Sequence, residues 1–345
     1  MVQQLKKIGE IKDPVQGYIW FTEIEKKLID SAPMQRLRGV KQLAGAELTY
    51  PGAIHTRFIH SLGVMHISGL IGEHLLEKGY TSKDDVQILR LAGLLHDVGH
   101  GPFSHAFDEI LEKYTRKTHE SLTKWLVNES IIGELLEDNG FSKEKISLLA
   151  VGLNQEVPFF NQIICGHFAS DIMDYLIRDS YFAGVEYGYF DVHRLVSSLD
   201  LIDNTLVADY SDALGVLESF IIARIEMFNV VYFHRSVRAA NIMLTRAMDF
   251  AHETLRLLDF NSVEDFLNMV DERIIFKLLS LKKESSPNHS KAYSLITNFR
   301  SRKLLKSSYE VIIHHENDFN SNSFKDISIR KKTENEIGIK AGVDP

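Results

Sequence analysis

Apolar residues recur every three or four positions along most of this chain, the spacing of helices that bury one face, and strict alternation is rare. In TYPGAIHTRFIHSLGVMHISGLIGEHLLEKG a Pro51-Gly52 turn leads into a long helical pattern that carries Leu62, Met65, Leu70 and Leu75. DDVQILRLAGLLHDVGHG predicts a second helix, with Asp84 or Asp85 near its start and glycines at its end. SHAFDEILEKY, HESLTKWLVNES, KEKISLLAVGL, ASDIMDYLIRDS and the long stretch from Ser211 to Leu258 are helical by the same pattern. Nearer the N-terminus, IKDPVQGYIWFTEIEKKLIDS reads as a turn at Asp13-Pro14 and Gly17 followed by a helix, and MQRLRGVKQLAG as a short helix ending at Gly45. Strand candidates are short and few, at Leu206–Ala208 and Tyr309–Ile313. The pattern predicts a mainly α fold without internal repeats or heptads.

The pattern changes near Leu281, where KKESSPNHSK is polar and linker-like, and the remainder mixes charge with one β-like run, EVIIHH. This divides the chain into an N-terminal turn and helices packing on the core (1–50), the helical core and its extension (51–281), and a small α+β appendage (282–345). The abrupt stop after IKAGVDP reads as a C-terminal module cut short. With 345 residues, 44% hydrophobic and 25% charged, the chain is long enough to bury one substantial core. A net charge of −8 argues against broad binding to nucleic-acid backbone or anionic membrane. The single cysteine, Cys165, excludes an intramolecular disulfide and reads as a small buried apolar residue of a reducing compartment. MVQQLKKIGEIKDP has no apolar signal region, and no apolar run reaches membrane-spanning length, so the expectation is a cytoplasmic protein.

The chemistry concentrates in LLHDVGHGPFSHAF, Leu94–Phe107, which packs His96, Asp97, His100 and His105 into a short span. A divalent first-row metal takes imidazole nitrogen and carboxylate oxygen and keeps positions open for water and substrate. Neighbouring residues on a helix diverge by about 100°, so His96 and Asp97 share an ion only if it lies between their directions. Gly99, Gly101 and Pro102 end the helix there and open room beside it. His60 and Asp171 would complete a four-ligand set for Mn, Fe, Co, Ni, Zn or, less comfortably, Mg. A His-Asp pair alone is common by chance, and it is the four segments together that carry the inference.

Hydrolysis of a phosphate ester needs charge neutralisation, an activated water and a proton for the leaving oxygen. His105 and His119 are the candidate proton donors, because imidazole titrates near working pH. Asp108, at i+3 from His105, and Glu120, beside His119, are the carboxylates able to orient them. His105 is read as the acid nearest the leaving group, with His119 held by Asp108 or Glu120. Arg57 lies three residues before His60, on the same helix face and suited to phosphate. Asp171, Tyr175 and Asp179 form one stripe, from a metal ligand outward to a sugar or phosphate. Asp174 and Arg178, also at i, i+4, read as a structural ion pair.

The segments DPVQGYI, MQRLRGVKQL, PGAIHTRFIHSLGV, HDVGHGPFSHAFD, HESL and DIMDYLIRDS, between Ile11 and Asp179, resemble the HD superfamily of metal-dependent phosphohydrolases. Within it the likeness is to deoxynucleoside triphosphate triphosphohydrolases of the mammalian SAM-and-HD-domain type. The resemblance implies an HD-domain helical bundle, with His60, His96, Asp97 and Asp171 as metal ligands and His100, His105, Asp108, His119 and Glu120 in the active site. It also implies that Gln42 and Leu43 contact deoxyribose, that the substrate is a nucleotide, and that the protein is a homodimer or higher homo-oligomer.

The chain departs from that family at several positions. Ile172 stands where a triphosphate-binding lysine is expected, so His234, Arg235 or Arg238 would have to grip the phosphates instead. Ala239 and Ala240 lie where an aromatic would reject a 2′-hydroxyl, and Gln16 replaces a histidine. Asp30, Gln35 and Arg38 match a nucleotide-effector site whose basic C-terminal partners have no counterpart here. Three readings stay open. They are hydrolysis of dNTP (such as dGTP) to deoxynucleoside and triphosphate, a nucleotidase or phosphodiesterase on mono- or cyclic nucleotides, and a non-catalytic nucleotide-binding module.

Overall fold

The structure, a computed structural model, describes residues 5–281, 286–307 and 326–342. It is mainly α-helical, and the chain divides into two units, Met1–Leu305 and Lys306–Pro345.

The first unit opens with a hairpin that the helical reading missed. β1 (Gly9–Asp13) pairs antiparallel with β2 (Gly17–Phe21), Ile11 opposite Ile19. Asp13 closes the turn by accepting the N–H groups of Val15 and Gln16 at 2.9 and 2.8 Å, and Gly17 takes a positive φ of 77°. The expected turn is therefore present, but with strands on both sides of it. α1 (Glu23–Ile29) starts at a Thr22–Glu25 capping box. Glu25 also receives Arg90 at 2.7 Å, both buried, which ties the N-terminal segment to the core. MQRLRGVKQLAG is less regular than a single helix. α2 (Ala32–Arg36) passes into one 3₁₀ turn at Leu37–Gly39, Lys41 bridges to Thr56, and a second 3₁₀ turn covers Ala44–Leu48.

The centre is α3 (Arg57–Glu77) packed along α4 (Lys83–Leu95). α3 is buried nearly all round, as expected of a helix without a polar face. Its Leu62 and Met65 join one apolar cluster and its Ile67, Ile71 and Leu75 another. α5 (His105–Thr115), α6 (His119–Glu129), α7 (Ile131–Asp138), α8 (Lys143–Ala150) and α9 (Pro158–Cys165) follow, and α10 (Ser170–Ala183) packs back on α3. Cys165 is exposed at the end of α9, contrary to the buried role expected of it.

α11 (Val192–Ser197) precedes a second hairpin, β3 (Leu199–Ile202) with β4 (Thr205–Ala208), whose Asp203-Asn204 turn has both φ positive. The long stretch after Ser211 is not one helix. α12 (Tyr210–Met227) widens into a π-helical turn at Phe228–Tyr232, and the chain restarts as α13 (Arg235–Ala251). α14 (Val263–Leu267), α15 (Asp271–Leu279) and α16 (Pro287–Arg300) complete the unit. The compact unit thus runs past the composition change at Leu281, because Ala292, Ile296 and Phe299 of α16 enter the first apolar cluster. The second unit contains α17 (Ile327–Ala341), capped by Asp326. The strand candidate Tyr309–Ile313 lies outside the described residues. No helix among the described residues is long and apolar enough to cross a membrane.

Candidate metal and phosphate site

α3, the end of α4 and the first turn of α10 bring His60, His96, Asp97 and Asp171 together. His60 Nε2 lies 3.1 Å from Asp171 Oδ1 and 3.6 Å from Asp97 Oδ2. His96 Nε2 lies 3.3 Å from Asp97 Oδ1 and 3.8 Å from Asp171 Oδ1. The tautomers follow from the other ring nitrogens. His60 Nδ1 faces Asp174 Oδ2 at 2.9 Å and His96 Nδ1 faces the Gly93 carbonyl at 2.8 Å, both acceptors, so each Nδ1 carries the proton and donates. Each Nε2 then faces carboxylate oxygens, where a cation can replace the proton that Asp171 favours on His60, and His96 Nε2 is buried without a hydrogen-bond partner. Two imidazole lone pairs and two carboxylates converging in this way fit a divalent cation. His60, His96 and Asp97 each offer a ligand atom within 4.8 Å of the others. Burial opposes charge on the His60 ring, yet Asp171, Asp174 and Asp97 raise its pKa to about 10, a measure of the negative field gathered there.

Behind His60, Asp174 accepts from Arg178 at 2.7 and 2.9 Å and from Gln16 Nε2 at 2.8 Å, and Arg178 reaches Asp13 at 2.8 Å. The Asp174–Arg178 pair is fully buried and structural as its spacing indicated, and its Asp174 also holds the His60 ring in place. Gln16 therefore serves this network rather than the cavity.

Asp108 gathers three histidines. Its Oδ2 lies 2.8 Å from His119 Nδ1, 3.4 Å from His105 Nδ1 and 3.5 Å from His100 Nδ1. His100 and His119 stack at 3.8 Å, and His100 Nε2 lies 3.3 Å from Asp97 Oδ1, so this group adjoins the metal set directly. Burial disfavours charge on His119, but the Asp108 carboxylate outweighs it and holds that ring above the ordinary histidine range. Burial, with Arg57 and His119 nearby, pushes His100 well below that range, so it is neutral. His105 is 77% exposed at the start of α5, and Glu120 Oε1 lies 3.5 Å from His119 Nε2.

Asp97, Asp171, His100, His105 and His119 line a cavity of about 360 Å³ with Gln42, Leu43, Arg57, Tyr175 and Asp179, while His60, His96 and Asp108 stand behind its wall. Arg57 is less free than its spacing suggested, because it binds Asp97 through Nη1 and Ser104 Oγ through Nε at 2.9 Å. Asp179 accepts from the Tyr232 hydroxyl at 2.7 Å and faces His55 Nε2 at 2.7 Å, which presents its carboxylate to the cavity.

His234 and Arg235 do not line the cavity. His234 is the N-cap of α13 and accepts the Ser236 N–H at 3.2 Å, while Arg235 is exposed. The π-helical turn advances the chain, so this segment contributes Phe228, Val231, Tyr232, Val237 and Asn241 instead. Tyr232, Asn241 and Ser104 were not anticipated from sequence. The tyrosine in VVYFHR was the available signal, an amphipathic ring within an apolar run. Ile172 packs in the second apolar cluster. Of the proposed effector residues, Asp30 caps α1, Gln35 donates to the Ile29 carbonyl at 2.8 Å, and Arg38 donates to Gln35 at 2.8 Å and lies over Phe58.

Comparison with known proteins agrees with this architecture. The HD domain family matches residues 57–155, and the HD associated region matches 190–345. A hypothetical protein from Aquifex aeolicus of known structure superposes with a TM-score of 0.74 at 38% identity, covering 86% of this chain and 76% of that one. An uncharacterized protein of Methanocaldococcus jannaschii is 34% identical over 260 residues, 74% of this chain and 53% of its own. The human deoxynucleoside triphosphate triphosphohydrolase SAMHD1 is 31% identical over 273 residues, 69% of this chain and 44% of its own. The chain spans about half the length of the curated relatives it matches. With the His-Asp pair at the end of α4 facing His60 and Asp171, and a fold shared with the Aquifex aeolicus protein, the chain belongs to the HD superfamily of metal-dependent phosphohydrolases.

Proposed function

We propose that this protein hydrolyses deoxynucleoside triphosphates, dGTP among them, to deoxynucleoside and triphosphate. The observation that carries the reading is that Asp97 and Asp171, with His60 and His96 facing them from behind, line one cavity together with His100, His105 and His119, the three histidines around Asp108. His60, His96, Asp97 and Asp171 would hold the ion, which when bound supplies charge neutralisation and an activated water. Release of triphosphate breaks the bond between the α-phosphorus and the 5′ oxygen, and that oxygen leaves with a proton. His105 donates it, with His119 beside it held protonated by Asp108 and Glu120. Neutral His100 and Arg57 face the phosphate, Tyr175 and Asp179 face the sugar, and Gln42 and Leu43 form the wall beside it. The reading extends to a homodimer or higher homo-oligomer in the cytoplasm, for which gel filtration with and without GTP or dNTP is the check.

A second reading, a nucleotidase acting on monophosphates, is favoured by one observation. Arg57 is the only Lys or Arg lining the cavity among the described residues, and it is already bound to Asp97 and Ser104. A monophosphate needs fewer cationic contacts than a triphosphate. A nucleotide panel with Mg²⁺, Mn²⁺, Co²⁺ and Ni²⁺, resolved by product chromatography, separates the two. Triphosphate release supports the first reading, orthophosphate from monophosphates the second, and no turnover with any metal leaves a non-catalytic binding module. The His96→Ala/Asp97→Ala double variant is expected to lose bound metal and turnover together, and retained turnover would refute the assigned site.

A further inference from the structure

The turn that shapes the cavity is held in an unusual conformation. Phe103 and Ser104 have φ of 59° and 53°, in the left-handed region that side chains other than glycine enter only at a cost. Asp271, the first residue of α15, meets this turn from far along the chain and is 2% exposed. Its Oδ1 accepts the Phe103 N–H at 2.7 Å and its Oδ2 accepts the Lys41 N–H at 3.0 Å. One carboxylate thus joins two backbone segments that both border the cavity, since Phe103 and Gln42 line it.

The path from there to the candidate metal ligands is short and continuous. Ser104 Oγ donates to the Lys41 carbonyl at 2.8 Å and accepts Arg57 Nε at 2.9 Å, and Arg57 binds Asp97. Arg36, buried, fastens the other end of the same turn. It donates to the carbonyls of Val98 and His100 at 2.8 and 2.6 Å and to that of Met269, two residues before Asp271, at 2.9 Å.

We propose that Asp271 is a positioning residue for the site, fixing the Phe103–Ser104 turn and the Lys41–Gln42 segment so that Arg57 stays against Asp97. It touches neither substrate nor metal, and it acts through Ser104 and Arg57. The role calls for a carboxylate, because two N–H donors arrive at two different oxygens. An asparagine keeps one acceptor and turns an N–H₂ toward the other donor. The inference rests on the phosphohydrolase reading, and its test includes a readout independent of turnover.

Wild type, Asp271→Asn and Asp271→Glu are compared by thermal melting, by Mn²⁺ affinity from the electron paramagnetic resonance of free Mn²⁺, and by kcat and KM on the best substrate of the panel. Asp271→Asn is expected to fold, to bind Mn²⁺ about ten-fold more weakly and to lose at least about ten-fold in kcat with a smaller change in KM. Asp271→Glu, which keeps both acceptor oxygens, is expected to recover part of both losses. An Asp271→Asn protein that melts earlier yet keeps its Mn²⁺ affinity and kcat would overturn the proposal and leave Asp271 a support of the fold. Failure of both variants to fold would also overturn it, in favour of a purely structural role. If wild type turns over no nucleotide, the phosphohydrolase reading fails while Mn²⁺ affinity still decides the inference.

Discussion

Asp108 illustrates how little of a side chain's chemistry lies in the side chain itself. Its spacing already marked it as a carboxylate able to orient His105 or His119, and only the packed distances show one of its oxygens facing His100, His105 and His119 together. Because burial and Asp108 act on His119 in opposite senses and Asp108 wins, the ring keeps its proton to higher pH than a free histidine. A group that must be protonated to act loses activity as pH rises through its pKa. Asp108→Asn should therefore shift the alkaline limb of the kcat/KM profile to lower pH and lower kcat by about 10² or more. A profile whose alkaline limb stays in place would mean that the protonation of His119, beside the donor His105, does not limit turnover. The types of the candidate ligands were legible at this scale, since His96 and Asp97 are adjacent and their helix ends at glycines. The Nδ1 partners that make His60 and His96 present their lone pairs were not, because Asp174 Oδ2 and the Gly93 carbonyl become partners only once the helices pack.

At the scale of elements, α3 carries the candidate ligand His60 through the centre of the fold and has no polar face to spare. Gly63 lies where α10 crosses it, and a Cβ there would meet Asp174 Oδ1 and the Arg178 guanidinium. Gly63→Ala should displace the pair that orients His60. We expect a loss of about 1–3 kcal/mol in urea unfolding, together with weaker Mn²⁺ binding by titration. Unchanged stability and affinity would mean that the network yields without cost. Helix existence was readable from apolar spacing for α1, α3 to α6, α8, α10, α12 and α13, while the short α7, α9, α11 and α14 and the later α15 and α16 were not singled out. The N-terminal hairpin was not, because two five-residue strands beside a capped helix offer too few alternations to separate from a helical run. The break between α12 and α13 was hidden for a related reason. Apolar spacing continues through Phe228–Tyr232 while the backbone widens to a π turn, and that turn decides that Tyr232 and not His234 reaches the cavity.

At the scale of the whole molecule, charge buried between the apolar clusters sets how the fold responds to acid. His66, on α3, is held to a pKa of about 4 by burial and then by Arg90, against 6.5 for a free histidine. A depressed pKa means that the unfolded chain takes the proton first. The contribution of neutral His66 is thus present above pH 6.5, erodes below it and is gone once the pH falls through about 4. That contribution is up to about 3 kcal/mol. Urea unfolding between pH 7 and 4 should show this loss, and His66→Gln should flatten the pH dependence over the same interval. An identical slope in the variant would assign the acid sensitivity to other groups.

The amino-acid sequence by itself determined the helical class, the helices α3, α4, α5, α6, α8 and α10, and the residue types around the His-Asp pair. These follow from periodicity and from neighbours a few positions apart, and local sterics already impose both on the chain. The tertiary structure alone decided which carboxylate faces which imidazole, that Arg57 is bound to Asp97 and Ser104, and that Asp271 closes on Phe103 from 168 positions away. Contacts of that kind depend on the angle at which helices cross and the register at which they restart, and both are settled only by packing the two apolar clusters against α3 and α4.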